Sequence, residues 1–156
     1  MFLTVLQLRL RKFTEKHNVI PNCQIAYKEN NSTSDHILTL KNIIDKYINK
    51  VKRTNLYVCF VDLRSAFDTV WRKALLYKLV KNGVCGNFYS VIESMYSNIS
   101  YRVKVDGFLS PPISSNVGVK QGCVLSPLLF NVFLSDLPDI FQYDCDPVKL
   151  HDIQLN

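Results

Sequence analysis

The chain has 156 residues, of which 47% are hydrophobic and 21% charged. That is enough for one domain with its own core, too little for two, and too apolar for a disordered chain. No run approaches the ~18–20 apolar residues that span a bilayer, and the apolar start, broken by Arg9, Arg11 and Lys12 with no small-residue cleavage site, does not read as a signal peptide. The net charge of +6 is uneven: residues 1–53 hold ten Lys/Arg against four Asp/Glu, whereas residues 54–156 hold nine of each. A basic N-terminal third suits a surface that meets phosphates, and it equally suits helix faces that carry lysine for solubility.

In chain order, Leu3, Leu6, Leu8, Leu10 and Phe13 predict an amphipathic helix to about His17, broken at Ile20-Pro21. Residues 22–34, rich in Asn and Ser, read as a loop whose Thr33 or Ser34 caps a second helix. That helix recurs with Ile37, Leu40, Ile44, Tyr47, Ile48 and Val51, and carries Lys41, Lys46, Lys50 and Lys52 on its other face. Leu56 to Val61 is a continuous apolar run, predicted as a strand buried on both faces, with Cys59 as a small buried hydrophobe. Leu75, Leu76, Leu79 and Val80 mark a helix over 72–81 with Gly83 just past its end. A further helix, capped by Asn87, carries Phe88, Val91, Ile92, Met95 and Tyr96. The period then changes to two: Tyr101, Val103 and Val105 predict a half-exposed strand, Asp106-Gly107 a hairpin turn, and Ile113 to Val117 the returning strand. Leu125 to Leu137 predicts an apolar helix stopped by Pro138, and residues 148–155 the start of a strand. Strands separated by helical pairs give an α+β fold, an antiparallel-rich sheet packed by helices. The five cysteines show no CxxC pair and the three histidines complete no zinc pattern, so reduced thiols in an intracellular protein are expected.

Two segments about fifty residues apart carry the chemistry: Phe60-Val61-Asp62-Leu63-Arg64-Ser65-Ala66-Phe67-Asp68, and Gly118-Val119-Lys120-Gln121-Gly122 followed by Ser126-Pro127 and Phe130. A carboxylate closing an apolar strand is either an exposed end or a hard oxygen ligand for a cation that bridges phosphates. Phe67 is either core or a wall beside a ligand, and Asp68 is expected to cap the next helix. Glycines framing Gln121 permit a tight loop that approaches a flat ligand, and the amide both donates and accepts hydrogen bonds.

Phe-x-Asp-(x)3-Ala-Phe-Asp followed by Gly-Val-x-Gln-Gly-(x)3-Ser-Pro-x-Leu-Phe resembles the reverse transcriptase domain of non-LTR, LINE-like retrotransposons. Upstream, Gln24, Tyr27, Lys28 and Ser32-Thr33-x-Asp35-His36 resemble the family's fingers motif, with Ala26, Tyr27 and Lys28 where Gly, Phe and Arg are usual. The resemblance implies a partial right-hand polymerase: fingers-side helices and loop over 1–55 and palm over 56–156. It implies that Asp62 is the catalytic, metal-binding aspartate of motif A, with Mg²⁺ as cofactor. Phe67 would be a steric gate against ribonucleotides, and Gln121 and Gly122 nucleotide and template contacts in motif B. RNA template, DNA primer and deoxynucleoside triphosphates are the implied partners, held in part by Lys41, Lys46, Lys50, Lys52 and Arg53.

The family's Tyr-Ala-Asp-Asp hairpin does not occur in the sequence, and Asp144 and Asp146 read as surface charges. The chain is therefore expected to be a fragment, inactive by itself. The rival readings are a non-catalytic nucleic-acid-binding or structural remnant and, against the Phe67-Asp68 pair and the Gly-x-x-Gln-Gly loop, an RNA-directed RNA polymerase fragment.

Overall fold

A computed structural model describes residues 1–50 and 55–140 and the strand residues 149–150 and 153–154. In chain order the helices are α1 (Phe2–Lys16), α2 (Thr33–Ile44), which runs on as a π-helical segment over Asp45–Lys50, α3 (Arg72–Lys81), α4 (Gly86–Tyr96), α5 (Ser126–Phe133) and α6 (Leu137–Ile140). The strands are two-residue pieces: β1 (Ser100–Tyr101) pairs with β4 (Ile113–Ser114), β2 (Lys104–Val105) with β3 (Phe108–Leu109), and β5 (Lys149–Leu150) with β6 (Ile153–Gln154), all antiparallel.

Internal contacts divide the chain into two compact units. One joins Met1–Val19 to Arg64–Leu134, and the other joins Ile20–Leu63 to Ser135–Asn156. This division follows compactness, whereas the boundary at 55–56 expected from the motifs follows family architecture.

The first unit is built on helices. Leu6 and Leu10 sit one turn apart on α1, Leu75 and Leu79 one turn apart on α3, and Ile92 and Tyr96 on α4; all are buried, together with Leu128, Leu129 and Val132 of α5. α5 packs against α1 and α3, and α3 also packs against α4. Each fully buried leucine contributes about 1.5–3 kcal/mol, so this helical core carries most of the unit's stability. α3 ends as its sequence predicts: Gly83 adopts φ +89° and the Val84 N–H reaches back to the Leu79 carbonyl. Lys78 donates to the Phe133 carbonyl, tying α3 to the end of α5.

The expected hairpin over 101–117 forms in two pieces. Asp106 and Gly107 both have positive φ, 47° and 86°, as a type I′ turn requires. The ladder breaks at Pro111 and Pro112, which have no N–H to donate. The Ser110 hydroxyl fills in by accepting from the Val103 N–H at 2.9 Å. The paired residues of β1 to β4 are exposed, so the expected sheet layered by helices is corrected: the fold is mixed helix and small antiparallel pairs around a helical core. Pro138 does not stop α5, which ends at Phe133; it sits in the first turn of α6, where a missing N–H costs nothing.

In the second unit, Ser32 rather than Thr33 or Ser34 caps α2, its backbone N–H donating to the Asp35 carboxylate at 2.6 Å. The apolar stripe of α2 is not deeply buried, and Ile37 and Ile48 are exposed. The run Leu56 to Val61 is not the expected buried strand. Residues 55–63 form no helix and no strand pairing among the described residues, Tyr57 and Phe60 are more than four-fifths exposed, and Cys59 is exposed too. A strand buried on both faces needs a hydrogen-bonding neighbour, and sequence pattern alone does not supply one.

Candidate functional site

The turn after Asp62 and the loop around Gln121 meet inside the first unit. Residues 65–69 form a tight turn in which the Asp68 and Thr69 N–H groups donate to the Ser65 carbonyl at 2.9 and 3.1 Å. The exit of this turn is stitched to the second motif by two backbone bonds, Val119 N–H to the Phe67 carbonyl and Gly118 N–H to the Val70 carbonyl, each 2.8 Å. An antiparallel bridge between Trp71 and Val117 extends the seam. Gly118 makes it possible: at φ +84°, a Cβ there would lie 2.8 Å from the Asp68 carbonyl oxygen. The first glycine of the loop therefore serves a close approach to the chain's own backbone. Gly122, at φ +76°, has nothing within 4 Å of where a Cβ would sit and is set by its backbone conformation.

Side chains complete the seam. The Phe67 ring, half-buried, meets Phe130 of α5 edge-on at a centroid distance of 5.0 Å. The amide Nε2 of Gln121 donates to Asp68 Oδ1 at 2.7 Å, with both residues exposed. Asp68 is thus not the cap expected for α3, whose N-cap is Trp71.

Beneath them lies Arg72, only 5% exposed. Its Nε donates to the Gly118 carbonyl at 2.7 Å, Nη2 to the Val117 carbonyl at 2.6 Å and to Ser115 Oγ at 3.3 Å, and Nη1 to the Ser115 carbonyl. The guanidinium also lies over the Tyr96 ring, 5.9 Å from its centroid. A buried guanidinium fanned across three carbonyls holds the strand entering the Gln121 loop in one shape.

From the other side the Ser126 hydroxyl donates to the Lys120 carbonyl at 2.7 Å and meets the Tyr96 hydroxyl at 3.4 Å. Burial pushes the Tyr96 phenol above its ordinary value, opposed by its bond to Ser126. The Ser-Pro step accordingly has two structural duties, Ser126 fastening the loop and Pro127 opening α5.

The seam leaves a cleft of about 550 Å³ lined by Asp68, Tyr101, Ser115 and the run 117–121. Its size suits a nucleotide-sized ligand, and Gln121, Asp68 and Lys120 give it polar groups of both signs.

The structure thus brings together Phe67, Gln121 and Gly122. Asp62 is exposed and belongs to the other unit. Its carboxylate is the donor type a divalent cation takes. Among the described residues, however, no three His, Cys, Asp or Glu side chains converge, and one carboxylate is not the set that a pair of ions requires. Of the basic residues, Lys41 is exposed on α2 and Lys46 lies with its Nζ 5.9 Å from the Tyr47 ring centroid. The Lys50 side chain, Lys52 and Arg53 lie outside the described residues, as do Asp144 and Asp146.

Sequence reasoning missed Asp68 and Arg72. For Asp68 no local signal exists, since its partner lies 53 residues away. Arg72 offered one: a cation at the first position of a helix opposes the helix dipole, so it is better explained by a partner outside the helix.

Residues 3–154 match the family model for reverse transcriptase (RNA-dependent DNA polymerase), and the chain belongs to that family. It is 32% identical over 131 residues to a probable RNA-directed DNA polymerase from transposon BS of Drosophila melanogaster, covering 83% of this chain. It is 29% identical to an RNA-directed DNA polymerase from mobile element jockey of Drosophila funebris, over 84% of this chain. A retrovirus-related Pol polyprotein from type-1 retrotransposable element R2 of Popillia japonica is 36% identical over 103 residues, 64% of this chain and 17% of that protein. The chain spans 14% of the length of each of the first two relatives. The resemblance to the polymerases of non-LTR retrotransposons read from the two motifs is the relationship found.

Proposed function

We propose that this chain supplies part of the nucleotide and template–primer site of an RNA-directed DNA polymerase, with fingers-side elements in residues 1–55 and palm elements in 56–156. The observation that carries the reading is the seam: the two motifs, far apart in sequence, are bonded side by side around a cleft that Gln121 enters. In the intact polymerase the reaction is attack of a primer 3′-hydroxyl on the α-phosphate of a deoxynucleoside triphosphate, which breaks the α–β phosphoanhydride bond and releases pyrophosphate, directed by an RNA template. Phe67 contributes a rigid ring, pinned by Phe130, that excludes a 2′-hydroxyl by overlap. Gln121 and Gly122 line the nucleotide and template. Asp62 is proposed as a ligand for the divalent cation, Mg²⁺, that such transfer uses. Lys41, Lys46, Lys50, Lys52 and Arg53 contribute sequence-independent phosphate contacts. No helix among the described residues is long and apolar enough to cross a membrane, and we place the protein inside the cell with its nucleic-acid partners.

Two-metal transfer needs a clamp of several carboxylates, so the chain assayed alone is expected to bind without extending a primer. The test is fluorescence anisotropy with a labelled RNA–DNA hybrid carrying an RNA overhang, paired with primer extension in Mg²⁺. Saturable binding that weakens in Gln121→Ala supports the reading. Binding unaffected by that change, or none at all, refutes it, and Asp62-dependent extension would refute the expected inactivity.

A further inference from the structure

We propose that Asp68 is a positioning residue for Gln121: it fixes the polarity of the amide, so that Gln121 meets its ligand through the carbonyl oxygen. The inference rests on the polymerase reading of the cleft. It begins from donor and acceptor chemistry. An ionised carboxylate only accepts hydrogen bonds, so the end of the glutamine that faces Asp68 Oδ1 at 2.7 Å is the NH₂ group. The two ends of an amide look alike in shape, and a free glutamine can turn either toward a ligand. Here the carboxylate removes that choice. Oε1 is left to accept a hydrogen bond, and a donor on the ligand, a hydroxyl or a base N–H, is the group recognised. Phosphate oxygens and base carbonyls, which only accept, are disfavoured at that point, and the charge on Asp68 adds to their exclusion.

Two further observations show that the pair is built into the fold. Gly118 lacks the Cβ that would strike the Asp68 backbone, and this is what lets the Asp68 turn come so close to the Gln121 loop. The backbone bonds from Gly118 and Val119 to Val70 and Phe67 then bracket Asp68 on both sides, so its carboxylate is held at a fixed distance from the loop. Asp68 and Gln121 also line the same cleft, where a ligand meets the amide and the group that orients it together.

Both side chains are exposed, so replacing either leaves the core intact. The test uses the whole chain, isotopically labelled, with Asp68→Ala, Asp68→Asn, Gln121→Ala and the Asp68→Ala/Gln121→Ala double variant. Binding of the labelled RNA–DNA hybrid is measured by anisotropy, and the Gln121 side-chain NH₂ resonances by NMR. Asp68→Ala is expected to shift those resonances while leaving backbone amides away from the seam in place, and to weaken binding roughly 3- to 10-fold, the range for one lost hydrogen bond. Gln121→Ala weakens binding by at least as much, and the double variant is no weaker than Gln121→Ala alone. Asp68→Asn, which can turn either end of its own amide to Gln121, falls between wild type and Asp68→Ala. Additive losses in the double variant would show that Asp68 acts independently and would overturn the proposal, as would Gln121 resonances indifferent to Asp68→Ala. Failure of the wild-type chain to bind the hybrid counts against the polymerase reading instead. The NH₂ resonances then decide the orientation by themselves, a shift in Asp68→Ala upholding it and no shift overturning it.

Discussion

Gly118 and Gly122 look interchangeable in the sequence, two glycines framing a glutamine, yet they answer to different constraints. Gly118 has both a left-handed backbone and a neighbour that any Cβ would strike, whereas Gly122 has only the backbone conformation. Gly118→Ala is therefore expected to cost about 3 kcal/mol, and Gly122→Ala about 1 kcal/mol, the cost of the left-handed conformation alone. Urea denaturation of the two variants checks the ranking, and equal losses would mean that the Asp68 contact yields freely. The sequence singled out Gln121, Gly122 and Phe67 as candidate site residues through the order and spacing of the two motifs that hold them. It did not disclose what Gly118 approaches, or that Asp68 faces Gln121, because both facts depend on chain segments that meet only in the folded molecule. Asp62 stood out in the same way as Phe67, but the metal-binding role proposed for it depends on other carboxylates being near it.

At the level of elements, the helices were the legible part. Apolar residues at helical spacing placed α1, α3 and α4 to within a few residues, since a helix satisfies its own backbone bonds and its pattern is local. Strands need partners, and two of the three strand expectations show it: the Asp106-Gly107 hairpin formed around its local turn, while the run 56–61 did not pair among the described residues. The structural keystone of the site is likewise non-local. Arg72→Ala would remove the guanidinium donors to the carbonyls of Ser115, Val117 and Gly118, leaving Val117 only the Ser115 hydroxyl, and is expected to cost about 3 kcal/mol. Arg72→Lys keeps the charge without the planar fork and should recover only part of it. The single tryptophan, Trp71, forms a bridge with Val117, one of the residues Arg72 holds, so its fluorescence during urea titration reports this seam directly. Full recovery by lysine would contradict the fork's role. Tyr96 supplies a pH signature. Its phenol is raised above the ordinary 10.0, chiefly by burial, so its contribution to stability is intact below about pH 10 and is lost as pH climbs through the folded-state value. Tyr96→Phe, which cannot ionise, should show a shallower loss of stability above pH 10, followed by thermal melts from about pH 9 to 11, roughly one unit to either side of that onset. An unchanged alkaline limb would place the strain elsewhere.

For the molecule as a whole, the helical core is generic packing, and the proposed function rests on the seam between two short motifs. If the basic residues of the N-terminal third meet phosphates as proposed, they supply charge but no sequence reading, and the affinity they add is expected to fall with salt. On the proposed reading, discrimination belongs to the cleft between the Asp68 turn and the Gln121 loop. The most direct test of this account is an NMR titration of the labelled whole chain with an RNA–DNA hybrid carrying an RNA overhang. The account predicts that the largest shifts fall on Phe67, Asp68 and residues 117–122, with the resonances around the separate apolar pocket formed by Arg9, Phe13, Val84 and Phe88 unmoved. Shifts gathered at that apolar pocket, or spread over the basic helices and absent from the seam, would contradict it.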